Sequence, residues 1–175
     1  MIQLAVVASA AILTAIDQML KIWILENLAG QPSRLLIPGL LQLTYVENRG
    51  AAFGIFQGKT GLLSVLTGIV LLAVLIAVLM GKFKNRFLLC CISLILAGGV
   101  GNLIDRVSRG FVVDYLDISP LFSFPVFNFA DCCVVVGTIL LLIYLLFFEG
   151  RQNLQGTTQP DTDTEDTGGP ENDGQ

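Results

Sequence analysis

Apolar and polar positions alternate in long blocks, and the blocks divide most of the chain into four apolar stretches joined by more polar segments. The apolar stretches cover about residues 2–25, 60–80, 87–106 and 128–148. A helix needs about 20 apolar residues to cross the hydrocarbon core of a bilayer. The pattern therefore predicts an all-α membrane protein with four transmembrane helices, in which residues 26–59 and 107–127 form the two longer connections.

The first long connection contains a segment that is typical of a β-strand. Residues 40–46, Leu-Leu-Gln-Leu-Thr-Tyr-Val, partly alternate and are rich in strand formers. They follow Pro38-Gly39 and precede Asn48-Arg49-Gly50, and both groups favour turns. We expect a short strand or hairpin here, resting on the membrane surface.

Composition supports the membrane assignment and separates a tail from the rest. Hydrophobic residues make up 54% of the chain and charged residues 14%, whereas soluble domains carry about 25% charge. Residues 151–175 hold one arginine and six acidic residues, and they lack aromatic residues. A segment of this composition cannot bury a core. We expect one transmembrane domain over residues 1–150 and a disordered acidic C-terminal tail over 151–175.

The short loop between the second and third helices predicts the orientation. Its six residues, 81–86, include three that are basic. Loops rich in lysine and arginine stay on the cytoplasmic side. Both termini are then cytoplasmic, and residues 26–59 and 107–127 lie on the outer side of the membrane.

The chain has no histidine, and this restricts the chemistry that is available to it. Ser-His-Asp and Cys-His nucleophiles and imidazole zinc sites are excluded. Acid–base catalysis would have to use carboxylates, lysine, tyrosine or cysteine.

Ionisable and amide side chains nevertheless occur inside the apolar stretches, where a charge costs about 2.5–3.5 kcal/mol at the bilayer centre. Asp17 and Lys21 are four residues apart on the first helix, so they can form an ion pair. This pair favours a structural role, holding the helix in the bundle. In the third helix, Asn102 and Asp105 share a face with Gly98, and we expect Asp105 to pair with the adjacent Arg106.

The fourth helix and the connection before it add two further acidic residues. Asn128, Asp131 and Thr138 share one face of the fourth helix. Asp114 lies in an apolar stretch of the outer connection. Asp105, Asp114 and Asp131 are thus expected at similar depth near the outer face.

Two of these three aspartates can meet, and two carboxylates in contact share one proton. One then acts as a base on water while the other donates a proton to a substrate carbonyl. In the alternative interpretation the aspartates only tie helices together, through Arg106, Arg109 or Lys21. The residues alone do not decide between these two roles.

Five blocks of the sequence resemble the characteristic blocks of the signal peptidase II (lipoprotein signal peptidase) family. They are Asp17-Gln18 with Lys21, the run Asn48-Arg49-Gly50-Ala51-Ala52-Phe53, Gly101-Asn102 with Asp105-Arg106, Val112-Val113-Asp114, and Phe127-Asn128-Phe129-Ala130-Asp131. Their order and spacing are similar to those of the family, and they span residues 17 to 131. The four-helix topology is similar as well.

The resemblance implies a membrane aspartic endopeptidase of the bacterial cytoplasmic (inner) membrane, without a metal or cofactor. It implies that the enzyme removes signal peptides from diacylglyceryl-modified prolipoproteins, cutting before the lipidated cysteine. Asp114 and Asp131 would be the catalytic pair. The residues implied to bind substrate or support the site are Asp17, Lys21, Asn48, Gly50, Asn102, Asp105, Arg106, Asn128 and Ala130.

The resemblance also implies a small outer β-cradle, which corresponds to residues 40–56. The expected partners are prolipoproteins and membrane lipids, with no nucleic acid, and the expected state is a monomer. The competing hypothesis is a non-enzymatic tetraspan scaffold or a small transporter. A transporter needs polar groups on both sides of the midplane, whereas the ionisable groups here gather towards one end.

Overall fold

A computed structural model of the chain describes residues 1–50 and 58–149. Its helices are α1 (Ile2–Leu28), α2 (Thr60–Leu79), α3 (Arg86–Arg109) and α4 (Phe129–Tyr144), and a π-helical turn (Leu145–Glu149) follows α4. Its strands are β1 (Arg34–Ile37), β2 (Leu41–Asn48) and β3 (Val112–Asp117). All four helices, α4 together with the start of its extension, are long and apolar enough to cross a membrane. The predicted four-helix membrane architecture with a small sheet is confirmed.

Helix α3 is the centre of the bundle, and α1, α2 and α4 pack around it. Half of its most apolar window is buried, against 11–17% in the other three helices. Small residues permit this packing: a Cβ added at Gly98 would clash with the backbone carbonyl of Ala130 on α4. A Cβ at Gly101 would lie 2.5 Å from Asp17 Oδ2 on α1. The glycines therefore let α3 approach both neighbours closely.

The outer surfaces of α2 and α4 are apolar. Exposed side chains include Leu66, Ile69 and Val70 on α2, and Ile139 and Leu142 on α4. A soluble protein rarely exposes so much contiguous apolar surface. These surfaces suit contact with lipid chains.

The three strands form one antiparallel sheet in the order β1-β2-β3. The predicted strand at residues 40–46 corresponds to β2, whereas β3 lies in a segment interpreted only as a connection. Strand β3 is buried on both faces, so its apolar residues run on without the alternation that reveals a half-buried strand. Its Val112, Val113 and Tyr115 are nonetheless strong strand formers.

Strand β3 also determines where α4 begins. After β3 the chain turns back, and Phe127 pairs with Leu116 through N–H···O bonds of 2.7 and 3.0 Å. The next residue, Asn128, is the N-cap of α4. The sheet thus lies at the end of the bundle where α1 and α3 finish and α4 starts, which we call the sheet end.

Two predictions fall outside the described residues. Residues 51–57 include Ala51-Ala52-Phe53, which end the family block that starts at Asn48, and the whole of the predicted cradle beyond residue 50. The acidic tail at 151–175 lies beyond residue 149.

Candidate active site

Asp114 and Asp131 lie near each other at the sheet end and are joined through Asn128. Asp114 belongs to β3, and Asp131 is in the first turn of α4. Asn128 Nδ2 donates to Asp114 Oδ1 at 2.6 Å, and the Asn128 backbone N–H donates to Asp131 Oδ2 at 3.1 Å. The Asp131 N–H donates in return to Asn128 Oδ1 at 2.9 Å, which completes a capping box. One residue thus holds both carboxylates.

Two more asparagines reach the same carboxylates from β2 and α3. Asn48 Nδ2 donates to Asp114 Oδ2 at 2.9 Å, and Asn102 Nδ2 donates to Asp131 Oδ1 at 2.7 Å. The antiparallel register explains the first contact, because Asn48 pairs with Val112 and so lies diagonal to Asp114. Each carboxylate oxygen of the pair therefore accepts one N–H.

A group that can only donate fixes the orientation of each of these three amides. Asn48 Oδ1 accepts from the Gly50 backbone N–H at 2.9 Å, and Asn102 Oδ1 accepts from Lys21 Nζ at 2.9 Å. Asn128 Oδ1 accepts from a backbone N–H, as described above. Since each oxygen faces a donor, every NH2 group has to point at Asp114 or Asp131.

Asp114 keeps its proton to a higher pH than an ordinary aspartate does. Burial, and after it the negative charge of Asp131, raises the pKa of Asp114 from its ordinary 3.8 to about 7, although the bonds from Asn48 and Asn128 oppose the rise. A protonated carboxyl donates a hydrogen bond and an ionised one accepts it. The two aspartates can therefore act as one acid and one base.

Arg106 lies beside the pair and has an unused donor. Its guanidinium is within electrostatic range of Asp114 and Asp131, and its Nη2 donates to the Gly50 carbonyl at 3.2 Å. Within the described part of the chain, Nε is buried and has no hydrogen-bond partner. A buried donor without a partner costs about 1–3 kcal/mol, so it is available to a substrate acceptor.

Asp17, Lys21, Asp105 and Arg109 form a second group, which we call the lysine cluster. Lys21 Nζ lies 2.9 Å from Asp17 Oδ2 and 3.0 Å from Asp105 Oδ2, and all three side chains are at most 1% exposed. Arg109 pairs with Asp105 Oδ1. Two acids and two bases balance one another, as buried charges require. The expected pair of Asp17 and Lys21 is present.

The expected pairing of Asp105 with Arg106 is wrong. Asp105 instead pairs with Lys21 and Arg109, and it accepts the Val113 backbone N–H at 3.1 Å. Adjacent residues on a helix point about 100° apart, whereas residues four apart share a face. Arg109 was named before only as one of three alternative cations, and its spacing from Asp105 is the signal that selects it.

The lysine cluster also holds the start of α4. Asp17 Oδ1 accepts the Ala130 backbone N–H at 3.0 Å, so Ala130 contributes through its backbone and its small side chain. Two residues that were not proposed for the site complete the arrangement. The Tyr115 hydroxyl accepts the Phe129 N–H at 3.3 Å, and Gln18 Nε2 donates to Asp105 Oδ1 at 3.2 Å. A tyrosine next to Asp114 gave no sequence signal of its own.

A further aspartate of this region, Asp117, is separate from the pair. Although burial acts to raise its pKa, hydrogen bonds from Ser119, Gln42 and Thr44 hold the pKa at about 2. Asp117 is therefore a charged structural residue that fastens β2 to β3.

A family profile for signal peptidase (SPase) II matches residues 9–147. The chain belongs to the signal peptidase II family. Signal peptidase II proteins are proteases of bacterial membranes, and the four apolar helices agree with that location. A non-enzymatic scaffold or transporter is not favoured.

Individual relatives agree with the family assignment. The lipoprotein signal peptidase of Clostridium acetobutylicum is 40% identical over 140 residues, which cover 79% of this chain and 91% of that protein. The one from Clostridioides difficile is 43% identical over 146 residues, which cover 80% and 93%. A solved structure described as a bacterial membrane enzyme is 32% identical, with a TM-score of 0.74 over 90% of this chain and 93% of that one.

Proposed function

We propose that this signal peptidase II removes signal peptides from diacylglyceryl-modified prolipoproteins as an aspartic endopeptidase, with Asp114 and Asp131 as its catalytic pair. One observation carries the proposal: the two carboxylates come from different elements and are joined through Asn128 at a polar site in an otherwise apolar bundle. The relatives' name, lipoprotein signal peptidase, supports the substrate class.

The protonation states suit hydrolysis by an activated water. Asp131 is the base, and Asp114 carries the shared proton. Asp131 takes a proton from water as the hydroxide attacks the scissile carbonyl carbon, while Asp114 gives its proton to the carbonyl oxygen. The tetrahedral intermediate then collapses: the C–N bond breaks, the leaving nitrogen takes the proton from Asp131, and Asp114 regains its own. No covalent intermediate is formed.

Arg106 serves substrate binding in this proposal. Its guanidinium is within electrostatic range of the pair and its Nε has no partner among the described residues, so Nε can donate to a backbone carbonyl of the extended substrate near the scissile bond. The Asn48–Gly50 segment buttresses the arginine, because Gly50 accepts from Arg106 and donates to Asn48. The other supporting residues act in two ways. Asn102 and Asn128 hydrogen-bond to the catalytic pair, and Asp17, Lys21, Asp105 and Ala130 act through the lysine cluster.

The membrane orientation belongs to the same proposal. The basic loop at residues 81–86 lies at the opposite end of the helices from the sheet, and by the positive-inside rule this favours a sheet end outside the cytoplasm. Both termini are then cytoplasmic, and the site is near the outer face, where the lipid chains of a substrate remain in the bilayer.

The substrate class is tested with one purified precursor, prepared with and without its diacylglyceryl group. The purified enzyme is assayed on both forms in detergent, and a precursor whose acceptor cysteine is changed to serine is the matched control. We expect cleavage of the lipidated form only, immediately before the modified cysteine. Equal cleavage of both forms would reject the lipid requirement, and no cleavage by folded enzyme would reject the proposed function.

A further inference from the structure

Lys21 and Asp131 are hydrogen-bonded to opposite ends of one side-chain amide, that of Asn102. Two of the three N–H groups of the Lys21 ammonium face Asp17 and Asp105, and the third donates to Asn102 Oδ1 at 2.9 Å. Asn102 Nδ2 donates to Asp131 Oδ1 at 2.7 Å. The ammonium group is completely buried, so all three of its donors are used inside the protein. The third hydrogen bond links the lysine cluster to the catalytic pair through Asn102.

The chemistry of the two ends allows only one orientation of the amide. An ammonium only donates and an ionised carboxylate only accepts, so the Asn102 oxygen has to face Lys21 and its NH2 group has to face Asp131. A flipped amide would set NH2 against the ammonium and oxygen against the carboxylate. Among the described residues, loss of Lys21 would leave the amide oxygen with only one donor, the neutral Asn128 Nδ2 at 3.1 Å from Asn102 Oδ1. Hydrogen bonds from charged donors are about twice as strong as neutral ones.

We propose that Lys21 is a positioning residue for catalysis: through Asn102 it keeps an N–H donor on Asp131, so that Asp131 is the ionised base and Asp114 carries the proton. This inference rests on the proposed function, since it assigns roles within that pair. It gives Lys21 a task beyond holding α1 in the bundle. The task does not require contact with substrate, because Lys21 is 0% exposed.

The charges around the pair predict how the enzyme responds to loss of Lys21. Among the described residues, the titratable and charged groups that face the pair are Lys21 on α1, Asp105 and Arg106 on α3, Tyr115 on β3, Cys132 on α4 and, through Lys21, Asp17 on α1. The positive charge of Lys21 counteracts the rise in the pKa of Asp114. Its removal therefore makes the single negative charge of the pair less favourable. Both limbs of a bell-shaped pH–rate profile then move to higher pH.

The test is a charge-balanced double variant, Lys21→Met with Asp17→Asn. Methionine has a similar length, and neutralising Asp17 keeps the lysine cluster at the same net charge, so that folding is retained. With the lipidated precursor, we expect kcat to fall roughly 10- to 100-fold. KM stays within about twofold, and the pH–rate profile shifts to higher pH by about one pH unit. Loss of folding alone would lower the amount of active enzyme and leave the profile where it was.

A second variant approaches the same contact from its other end. Asn102→Leu removes the amide but leaves Lys21 paired with Asp17 and Asp105, so the cluster stays intact. We expect the same upward shift of the pH–rate profile. Combining Asn102→Leu with Lys21→Met and Asp17→Asn should add little to this shift, because substitutions that act through one contact are not additive. Thermal unfolding of each variant in detergent reports the folded fraction.

The outcomes separate this inference from the proposed function. An unshifted profile in either folded variant, or shifts that simply add, would overturn the role of Lys21. Asp131→Asn is assayed alongside them. If Asp131→Asn cleaves like the wild type, the catalytic pair itself is wrong; if it is inactive while the profiles do not move, only the inference about Lys21 fails.

Discussion

Asn128 Nδ2 lies 2.6 Å from Asp114 Oδ1, so the residue that begins α4 is hydrogen-bonded to the middle of β3. The same residue forms the capping box with Asp131. The spacing of the two carboxylates is therefore set by where a helix starts, and it cannot change without moving that start. Catalysis gains from such fixed geometry, because the site is not reorganised during the reaction.

Two substitutions at Asn128 should separate its helix cap from its contact with Asp114. Serine is a good N-cap but lacks the NH2 group, whereas alanine lacks both. We expect Asn128→Ser to retain near wild-type thermal stability and to lose most of its cleavage rate. Asn128→Ala should lose the rate and also about 0.5–2 kcal/mol of stability. Equal rates for Asn128→Ser and wild type would show that the contact with Asp114 is dispensable.

The pH dependence of stability should reveal the raised pKa of Asp114. The folded protein keeps the Asp114 proton up to about pH 7, and the unfolded chain loses it near 3.8. Stability from this group is complete below 3.8 and is lost as the pH rises towards 7. In Asp114→Asn the group cannot ionise, so unfolding in detergent between pH 4 and 8 should show a shallower fall than in the wild type. A fall of equal steepness in both would contradict the raised pKa.

Asp17→Asn should act on stability before it acts on chemistry. The substitution leaves Lys21 and Arg109 with a single acidic partner, Asp105, in a buried site, and breaking a buried pair costs about 3–5 kcal/mol. We expect a lower unfolding temperature and a largely retained cleavage rate per folded molecule. Normal detergent stability together with lost activity would place Asp17 in the reaction instead.

The close approach of α3 and α4 is tested at Gly98. Its substitution by alanine puts a Cβ against the Ala130 backbone, which cannot move without displacing the first turn of α4. We expect Gly98→Ala to cost about 1–3 kcal/mol and to reduce cleavage. Gly61→Ala on α2 is the matched control, because a Cβ there meets nothing within 4 Å. Unchanged stability in Gly98→Ala would contradict the packing.

The helices and the ion pair of α1 were predictable because their signals are local. Twenty apolar residues in a row define a span, and a four-residue spacing pairs Asp17 with Lys21. The same rule pairs Asp105 with Arg109. The prediction that Asp105 pairs with Arg106 relied on adjacency in sequence and is wrong. The four-residue spacing alone was therefore sufficient to predict the pair of Asp105 and Arg109.

Strand β3 and the links between the aspartates were harder to predict from the sequence, because they depend on segments that are distant along the chain. A strand buried on both faces shows no alternation, so Val112–Asp117 was interpreted as a connection. The approach of Asp114 to Asn128 depends on the chain turning back along β3, which no pattern in residues 118–127 indicates. From the residues alone, Asp105, Asp114 and Asp131 were equivalent candidates; the resemblance selected two of them, and the geometry shows what joins those two.

The catalytic role of the Asp114–Asp131 pair is tested most directly by three matched aspartate substitutions. Asp114→Asn, Asp131→Asn and Asp117→Asn are purified in detergent, their folding is checked by thermal unfolding, and each is assayed on the diacylglyceryl-modified precursor. Asp117 is the control because it lies in the same strand as Asp114 and is also buried, but it is hydrogen-bonded to Gln42, Thr44 and Ser119 instead. The account predicts that the first two variants are folded and lose at least about 100-fold in rate, while Asp117→Asn stays active per folded molecule. Substantial cleavage by folded Asp114→Asn or Asp131→Asn would contradict it.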